Sequence, residues 1–330
     1  MGTQQELLDR LSLAEKLILE TPVVHLEDDA LDLYSKLEFQ NGIGSIKDRP
    51  ALAVLKGAIQ RGEIGPGSTV IEYSSGNFAC ALASFCHILN LDFIPVIDPV
   101  APAPYESYLR ALCKRVVKVT ERDETGSGYL RTRLRTVRSL LQEIPKSYWT
   151  NQYENPDGML AHYHLTGQEI CRALPDVDYV FLGVSSAGTV AGVSRRLKEH
   201  NSKVKIIAVD AEGSVIFGQA PRKRHISGIG SSITPELLKH ALIDEVVFVP
   251  ECDTVAACLA LLERHRLFVG GSTGTVYSAI KSYFRDHEPA GRPKVLFLCC
   301  DRGTAYLQNI YDPAWVMSHI HDCQTTQATV

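Results

Sequence analysis

Lys47 stands in the run Gly42-Ile43-Gly44-Ser45-Ile46-Lys47-Asp48-Arg49-Pro50, where a flexible Gly/Ser loop delivers an amine to the start of a helix. The positive end of the helix dipole and the unsatisfied N–H groups beside it act to depress an ammonium pKa, which is what an imine-forming lysine requires. Taken alone, Lys47 reads more simply as a solvated lysine at a helix start. The run Tyr73-Ser74-Ser75-Gly76-Asn77 follows an apolar strand and enters the Ala/Leu/Cys-rich helical stretch Phe78 to Leu89. Such a turn aims backbone N–H groups and hydroxyls at one point and suits a carboxylate, although an ordinary N-cap and turn would use the same residues.

Two further loops have the same character. Gly183-Val184-Ser185-Ser186-Ala187-Gly188-Thr189 lies between a strand and a helix, and its small side chains let backbone amides approach a phosphate while Ser and Thr add donors. Many strand-to-helix turns are equally rich in Gly and Ser. Val269-Gly270-Gly271-Ser272-Thr273-Gly274-Thr275 again opens a helix. A hydroxyl there could bond a ring nitrogen without charging it, and a plain N-cap would also explain Ser272.

The elements that must position these loops follow from the hydrophobic pattern. Strand-like apolar runs occur at Thr69 to Tyr73, Asp92 to Ile97, Val116 to Val119, Tyr179 to Val184, Val204 to Val209, Glu245 to Val249 and Lys294 to Leu298, with helical patterns between them. Nearly unbroken Val, Ile, Leu and Phe in these runs predicts parallel sheet buried on both faces. Gly62, Gly65, Pro66 and Gly67 mark a turn, and Ser139 to Asn155 separates an earlier βαβ set from a later one.

The 330 residues suffice for two domains or one large α/β domain. A formal net charge of −4 offers no electrostatic reason to expect nucleic acid or anionic membrane as partner, so a small-molecule substrate is expected. Met1 to Glu20 carries charges where a signal peptide would be apolar, and no apolar run is long enough to span a membrane. The nine cysteines show no CxxC and no spacing suited to zinc, which predicts reduced thiols in a cytoplasmic protein. His162 and His164 are two apart and face different ways on a helix, so no metal site is expected.

Together the four loops, with Gly167-Gln168-Glu169-Ile170 and Asp301-Arg302-Gly303, resemble the fold-type II pyridoxal-phosphate (PLP) family of cysteine synthase and cystathionine β-synthase, in order and separation. The resemblance runs from Thr21-Pro22 to about Pro313. It implies a tryptophan synthase β-like α/β fold of two domains, each a mostly parallel twisted sheet flanked by helices. One is a smaller mobile N-terminal domain over 36–147; the other is a larger PLP-anchoring domain from 1–35 and 148–330. A homodimer with a site between closing domains is the family expectation.

Residue by residue, the resemblance makes Lys47 the Schiff-base lysine and general base, and Asn77 the partner of the ring hydroxyl. Ser185, Ser186, Ala187, Gly188 and Thr189 become the phosphate cup, and Ser272 the partner of the pyridine nitrogen. Ser74, Ser75, Gly76 and Gln152 match the groups that hold the substrate carboxylate. A serine at the ring nitrogen leaves it largely uncharged and favours loss of a good β-leaving group, hence β-replacement on an activated serine.

The sequence departs from the family pattern where Ser185, Ser186 and Ala187 replace smaller residues, and where Phe78 and Ala79 follow Asn77. Gly128-Tyr129-Leu130-Arg131-Thr132-Arg133 and Asp301 to Leu307 resemble the subgroup that feeds 2,3-diaminopropionate into siderophores from O-phosphoserine and glutamate. That resemblance implies synthesis of N-(2-amino-2-carboxyethyl)-L-glutamate, with Arg133, Tyr153 and Ser185 near the leaving phosphate or second substrate; an arginine fork bonds two phosphate oxygens at once. Arg131, Arg135 and Arg138 read as a solvated stripe from which Arg133 stands apart, and Tyr153 reads equally as a core or interface aromatic. A sulfide-adding cysteine synthase and a non-catalytic regulatory paralogue remain the alternatives.

Overall fold

The computed structural model describes residues 2–123, 128–289 and 291–320. Helix α1 (Gln4–Glu15) precedes strands β1 (Val23–Leu26) and β2 (Asp32–Lys36), and the chain then alternates through α2 (Asp48–Gln60), β3 (Thr69–Glu72), α3 (Asn77–Leu89), β4 (Asp92–Ile97), α4 (Ala103–Leu112), β5 (Val117–Lys118), α5 (Leu130–Glu143) and β6 (Ser147–Trp149). The second half continues with α6 (Pro156–Ala161), a π-helical stretch at His162–Gly167, α7 (Gln168–Ala173), β7 (Tyr179–Gly183), α8 (Gly188–His200), β8 (Lys205–Ala211), β9 (Glu245–Val249), α9 (Glu251–His265), α10 (Gly271–Asp286), β10 (Lys294–Leu298) and α11 (Pro313–His319).

The contacts divide the chain into two compact units, one of residues 1–19 and 41–158, the other of 20–40 and 159–330. Sequence had placed the divisions at 35/36 and 147/148. The difference at the front has a physical reason: Leu7, Leu11 and Ala14 of α1 bury into the core that α2 and α3 build in the first unit.

The first unit holds a four-stranded, all-parallel sheet in the order β5-β4-β3-β6. Alternation along β3 serves two cores. Val70 joins Leu55, Leu82 and Phe85 on the side covered by α2 and α3, while Ile71 joins Val137 and Leu140 of α5 on the other. The second unit holds a six-stranded sheet ordered β1-β2-β10-β7-β8-β9, parallel except for the antiparallel β1–β2 pair. Phe181, Val209 and Phe297 of its central strands pack with Leu261 of α9 and Ile280 and Phe284 of α10.

The loops at 73–77 and 183–189 lie where a parallel strand hands the chain to a helix, the edge at which α/β sheets bind ligands, whereas the loop at 269–275 joins α9 to α10 and touches strand structure only through the isolated bridge of Val269 to Arg302. All seven expected strands are present. A buried ion pair holds β2 to α7: Lys36 Nζ lies 2.6 Å from Glu169 Oε2, donates to Thr21 O at 2.7 Å, and stands 3.8 Å from Glu38 Oε1.

Candidate active site

Lys47 is half-buried and serves as N-cap of α2 without making a side-chain cap bond. The turn that carries it is organised by its neighbour. Asp48, 1% exposed, accepts from Ile43 N at 2.7 Å and Gly44 N at 3.0 Å through one carboxylate oxygen and from Ser45 Oγ at 3.3 Å through the other. Ser45 Oγ in turn accepts from Lys47 N at 3.2 Å. Burial outweighs these donors and pushes the Asp48 carboxyl up to about 6. Gly44, at φ +120°, supplies a conformation that a side chain would resist.

The loop after β3 enters α3 through Gly76, which is extended and has open space where a side chain would project. Asn77 opens the helix and its Oδ1 accepts from Tyr105 Oη at 2.8 Å, a bond that orients the side-chain amide. Among the described residues the hydroxyls of Ser74 and Ser75 and the side-chain amide of Gln152 form no hydrogen bond, so these polar groups stay uncommitted.

Tyr73 draws the other first-unit candidates around it. The Tyr153 ring stacks on it at 5.9 Å between centroids, the Arg133 guanidinium lies 5.9 Å from its centre, and Trp149 leans on it at 6.0 Å. Arg133 Nε also approaches Asp98 Oδ2 to 3.2 Å, an ion pair whose angle is too poor for a hydrogen bond. The arginine is thus held in place, but part of its charge is answered by Asp98. Arg131, Arg135 and Arg138 are exposed, as the stripe reading expected.

In the second unit, α8 begins at Gly188 with Ala187 as a left-handed N-cap, φ +64°, that makes no side-chain cap bond. The first-turn N–H groups are therefore left without a side-chain acceptor. Ser185 Oγ donates to Gly230 O at 3.2 Å, Thr189 Oγ1 is hydrogen-bonded to His162 Nε2 at 3.2 Å, and the Ser186 hydroxyl has no partner among the described residues. His162 is fixed from its other nitrogen by Thr166 Oγ1 at 3.0 Å, within the π-helical stretch.

Ser272 sits in the first turn of α10, whose N-cap is Gly270, so the plain N-cap explanation of Ser272 does not hold. Its hydroxyl is 92% shielded with its residue and forms no hydrogen bond among the described residues. A side chain at Gly183 would come to 3.3 Å from Val276 and 3.8 Å from Ser272 O, which places the start of α10 against the end of β7 beside the Ser185–Thr189 loop. This end of the second unit sets a helix N-terminus without a side-chain cap beside a shielded neutral hydroxyl.

Sequence reasoning assigned no part to Glu72, Asp98, Tyr105 or the Thr189 bond of His162. Each acts through a partner remote in the chain. The available signal was a carboxylate ending an apolar strand, in Val70-Ile71-Glu72 and Val96-Ile97-Asp98.

Residues 14–301 match the family model described as pyridoxal-phosphate dependent enzyme. The chain is 42% identical over 302 residues to an N-(2-amino-2-carboxyethyl)-L-glutamate synthase of Ralstonia nicotianae, covering 90% of this chain and 88% of that protein. It is 41% identical over 303 residues to a protein of the same name from Cupriavidus metallidurans, at the same coverage. Among solved structures it is similar to the O-acetylserine-dependent cystathionine β-synthase of Helicobacter pylori, with TM-score 0.82, 29% identity, 91% of this chain and 98% of that one. It is likewise similar to an O-ureido-L-serine synthase, with TM-score 0.82, 25% identity, 92% of this chain and 98% of that one. With a family model matched across most of its length, relatives at 41% and 42% identity and a fold of two mostly parallel sheets, the chain belongs to the family of pyridoxal-phosphate-dependent enzymes.

Proposed function

We propose that the protein replaces the β-substituent of O-phospho-L-serine with the amino group of L-glutamate, giving N-(2-amino-2-carboxyethyl)-L-glutamate and phosphate. The observation that carries this reading is the 42% identity, over 90% of the chain, to a synthase of that product. The residues present suit the cofactor: the uncommitted Ser272 hydroxyl matches a pyridine nitrogen, and the first turn of α8 with Ser186 matches a phosphate. Bound pyridoxal phosphate supplies an electron-withdrawing ring that accepts the pair left when the α-C–H bond breaks.

The chain's own residues divide the remaining work. Lys47 Nζ carries the cofactor, takes the proton from the substrate's α-carbon and returns it after the new C–N bond has formed. Asn77, its side-chain amide oriented by Tyr105, is assigned to the ring hydroxyl. Ser185, Ser186, Ala187, Gly188 and Thr189 hold the cofactor phosphate. The N–H groups and hydroxyls of Ser74, Ser75 and Gly76, with Gln152, hold the substrate carboxylate.

Arg133 and Tyr153, and Ser185 of the second unit, are assigned to the leaving phosphate or the glutamate side chain. The same reading, extended from the family resemblance, makes the protein a cytoplasmic homodimer serving 2,3-diaminopropionate and siderophore biosynthesis; light scattering on the purified protein tests the dimer.

The deciding experiment incubates the purified, cofactor-loaded protein with O-phosphoserine or O-acetylserine and with glutamate or sulfide, and identifies products by mass spectrometry. N-(2-amino-2-carboxyethyl)-L-glutamate from O-phosphoserine supports the reading. Cysteine from O-acetylserine and sulfide, with no glutamate adduct, replaces it by a cysteine synthase. A protein that takes up no cofactor is a non-catalytic paralogue.

A further inference from the structure

Three hydrogen-bond donors converge on a carboxylate that no step above uses. Glu72 is the last residue of β3 and is wholly buried. One oxygen accepts from Tyr73 N at 2.8 Å; the other accepts from Thr150 Oγ1 at 2.6 Å and from Gln152 N at 3.3 Å. Strands β3 and β6 pair in parallel only as far as Ile71 and Trp149, and beyond them the chain turns through Asn151 at φ +45°. The last main-chain link is Thr150 N to Ile71 O at 3.3 Å. From there on, the Glu72 side chain does what the ladder no longer does.

We propose that Glu72 is a positioning residue that holds the two arms of the amino-acid carboxylate seat, Ser74-Ser75-Gly76 and Gln152, in one fixed register. This rests on the reading of those residues as the carboxylate-binding arms. Its bond to Tyr73 N fixes the backbone immediately ahead of Ser74, and its bonds to Thr150 and Gln152 N fix the backbone that presents the glutamine amide. The Tyr73 and Gln152 N–H groups need acceptors on opposite oxygens, which a carboxyl group provides, while the Thr150 hydroxyl can turn to donate or accept. Burial pushes the Glu72 carboxyl above its ordinary value, and these bonds act against that rise. A glutamine at position 72 would turn its NH2 against either the Tyr73 N–H or the Gln152 N–H, whichever oxygen it replaces. Its amide therefore forces the two arms apart while conserving volume and burial.

The test compares wild type, Glu72→Gln and Thr150→Val as PLP-loaded enzymes. It measures the apparent dissociation constant of O-phospho-L-serine and of its carboxamide from the change in cofactor absorbance, with thermal melting alongside. Wild type is expected to bind the acid more tightly than the amide. Glu72→Gln is expected to lose about tenfold of that preference, the worth of one hydrogen bond to a charged group, and Thr150→Val a smaller share in the same direction. Affinity for the carboxamide stays near wild type, a pattern that a general loss of stability would not produce.

An unchanged acid-to-amide ratio in Thr150→Val and in any folded Glu72→Gln protein, with lowered melting temperature, overturns the proposal and leaves Glu72 a structural anchor. Should Glu72→Gln fail to fold, the Thr150→Val ratio decides. If wild type binds O-acetylserine instead of O-phosphoserine, the assigned leaving group fails, and the same ratio is then read with O-acetylserine and its amide.

Discussion

Replacing Asp48 with asparagine separates the charge of that residue from its hydrogen bonds. The side chain is buried and keeps two N–H groups and one hydroxyl satisfied, yet burial lifts its carboxyl from 3.8 to about 6. A rise of about two units corresponds to roughly 3 kcal/mol between the two protonation states. The sign follows from linkage: a carboxyl whose folded value lies above its unfolded value helps stability at low pH, and that help is lost as pH rises from about 4 through about 6.

Asparagine has no such titration. Its oxygen can take the Ile43 and Gly44 N–H groups while its NH2 donates to Ser45 Oγ, so the turn bearing Lys47 survives. Urea denaturation of Asp48→Asn against wild type from pH 4 to pH 8 is therefore expected to show near-equal stability at pH 4 and a variant more stable by up to about 3 kcal/mol at pH 8. Cofactor absorbance is expected to persist in Asp48→Asn and to fall in Asp48→Ala, which strands both N–H groups. A stability difference that does not change with pH, or an asparagine variant weakest at pH 8, refutes the argument.

Three other perturbations probe separate features. Lys36→Met takes the ammonium away from two buried carboxylates, Glu169 and Glu38, and is expected to cost about 3–5 kcal/mol in urea unfolding; a loss under about 1 kcal/mol would mean the ion pair contributes little. Ala187→Gly relieves a left-handed alanine and is expected to stabilise by about 1 kcal/mol, read from the denaturation midpoint, whereas destabilisation would show that the alanine methyl packs usefully in the loop. Tyr105→Phe removes the donor that orients Asn77 and is expected to weaken PLP affinity about fivefold in a fluorescence titration; unchanged affinity would show that the amide is oriented without it.

Strands buried on both faces were readable because an unbroken Val/Ile/Leu run has few other uses, which is why β3, β4, β7, β8 and β10 lie where the pattern put them. The three strands that escaped notice each hide their burial. β6 is three residues long, too short to show a period, and β1 places the exposed His25 among its apolar residues. β2 carries Lys36, whose charge reads as solvent-facing until Glu169, some 130 positions later, is known to sit beside it.

The loops of the site were legible for the opposite reason: small and hydroxyl residues at strand-to-helix turns are conspicuous wherever they occur. What sequence could not provide was the set of residues that hold those loops. Glu72 and Thr150 are 78 positions apart, and Arg133 and Asp98 meet only because α5 packs on β3 and β4.

The pairing of β2 with β10 ties the order of synthesis to the order of folding. Strand β2 is complete at residue 36, but its inner neighbour ends at residue 298. At about 5–20 residues per second, that partner emerges roughly 13–50 s later. Throughout this interval the edge of β2 that later pairs with β10 is open and the Leu31 and Leu33 side chains await cover, whereas the four strands of the smaller sheet have all been made by residue 149. A nascent chain stalled between the two points would present a complete smaller sheet and an unpaired ribbon at once, the exposed strand edge that makes folding intermediates prone to aggregate.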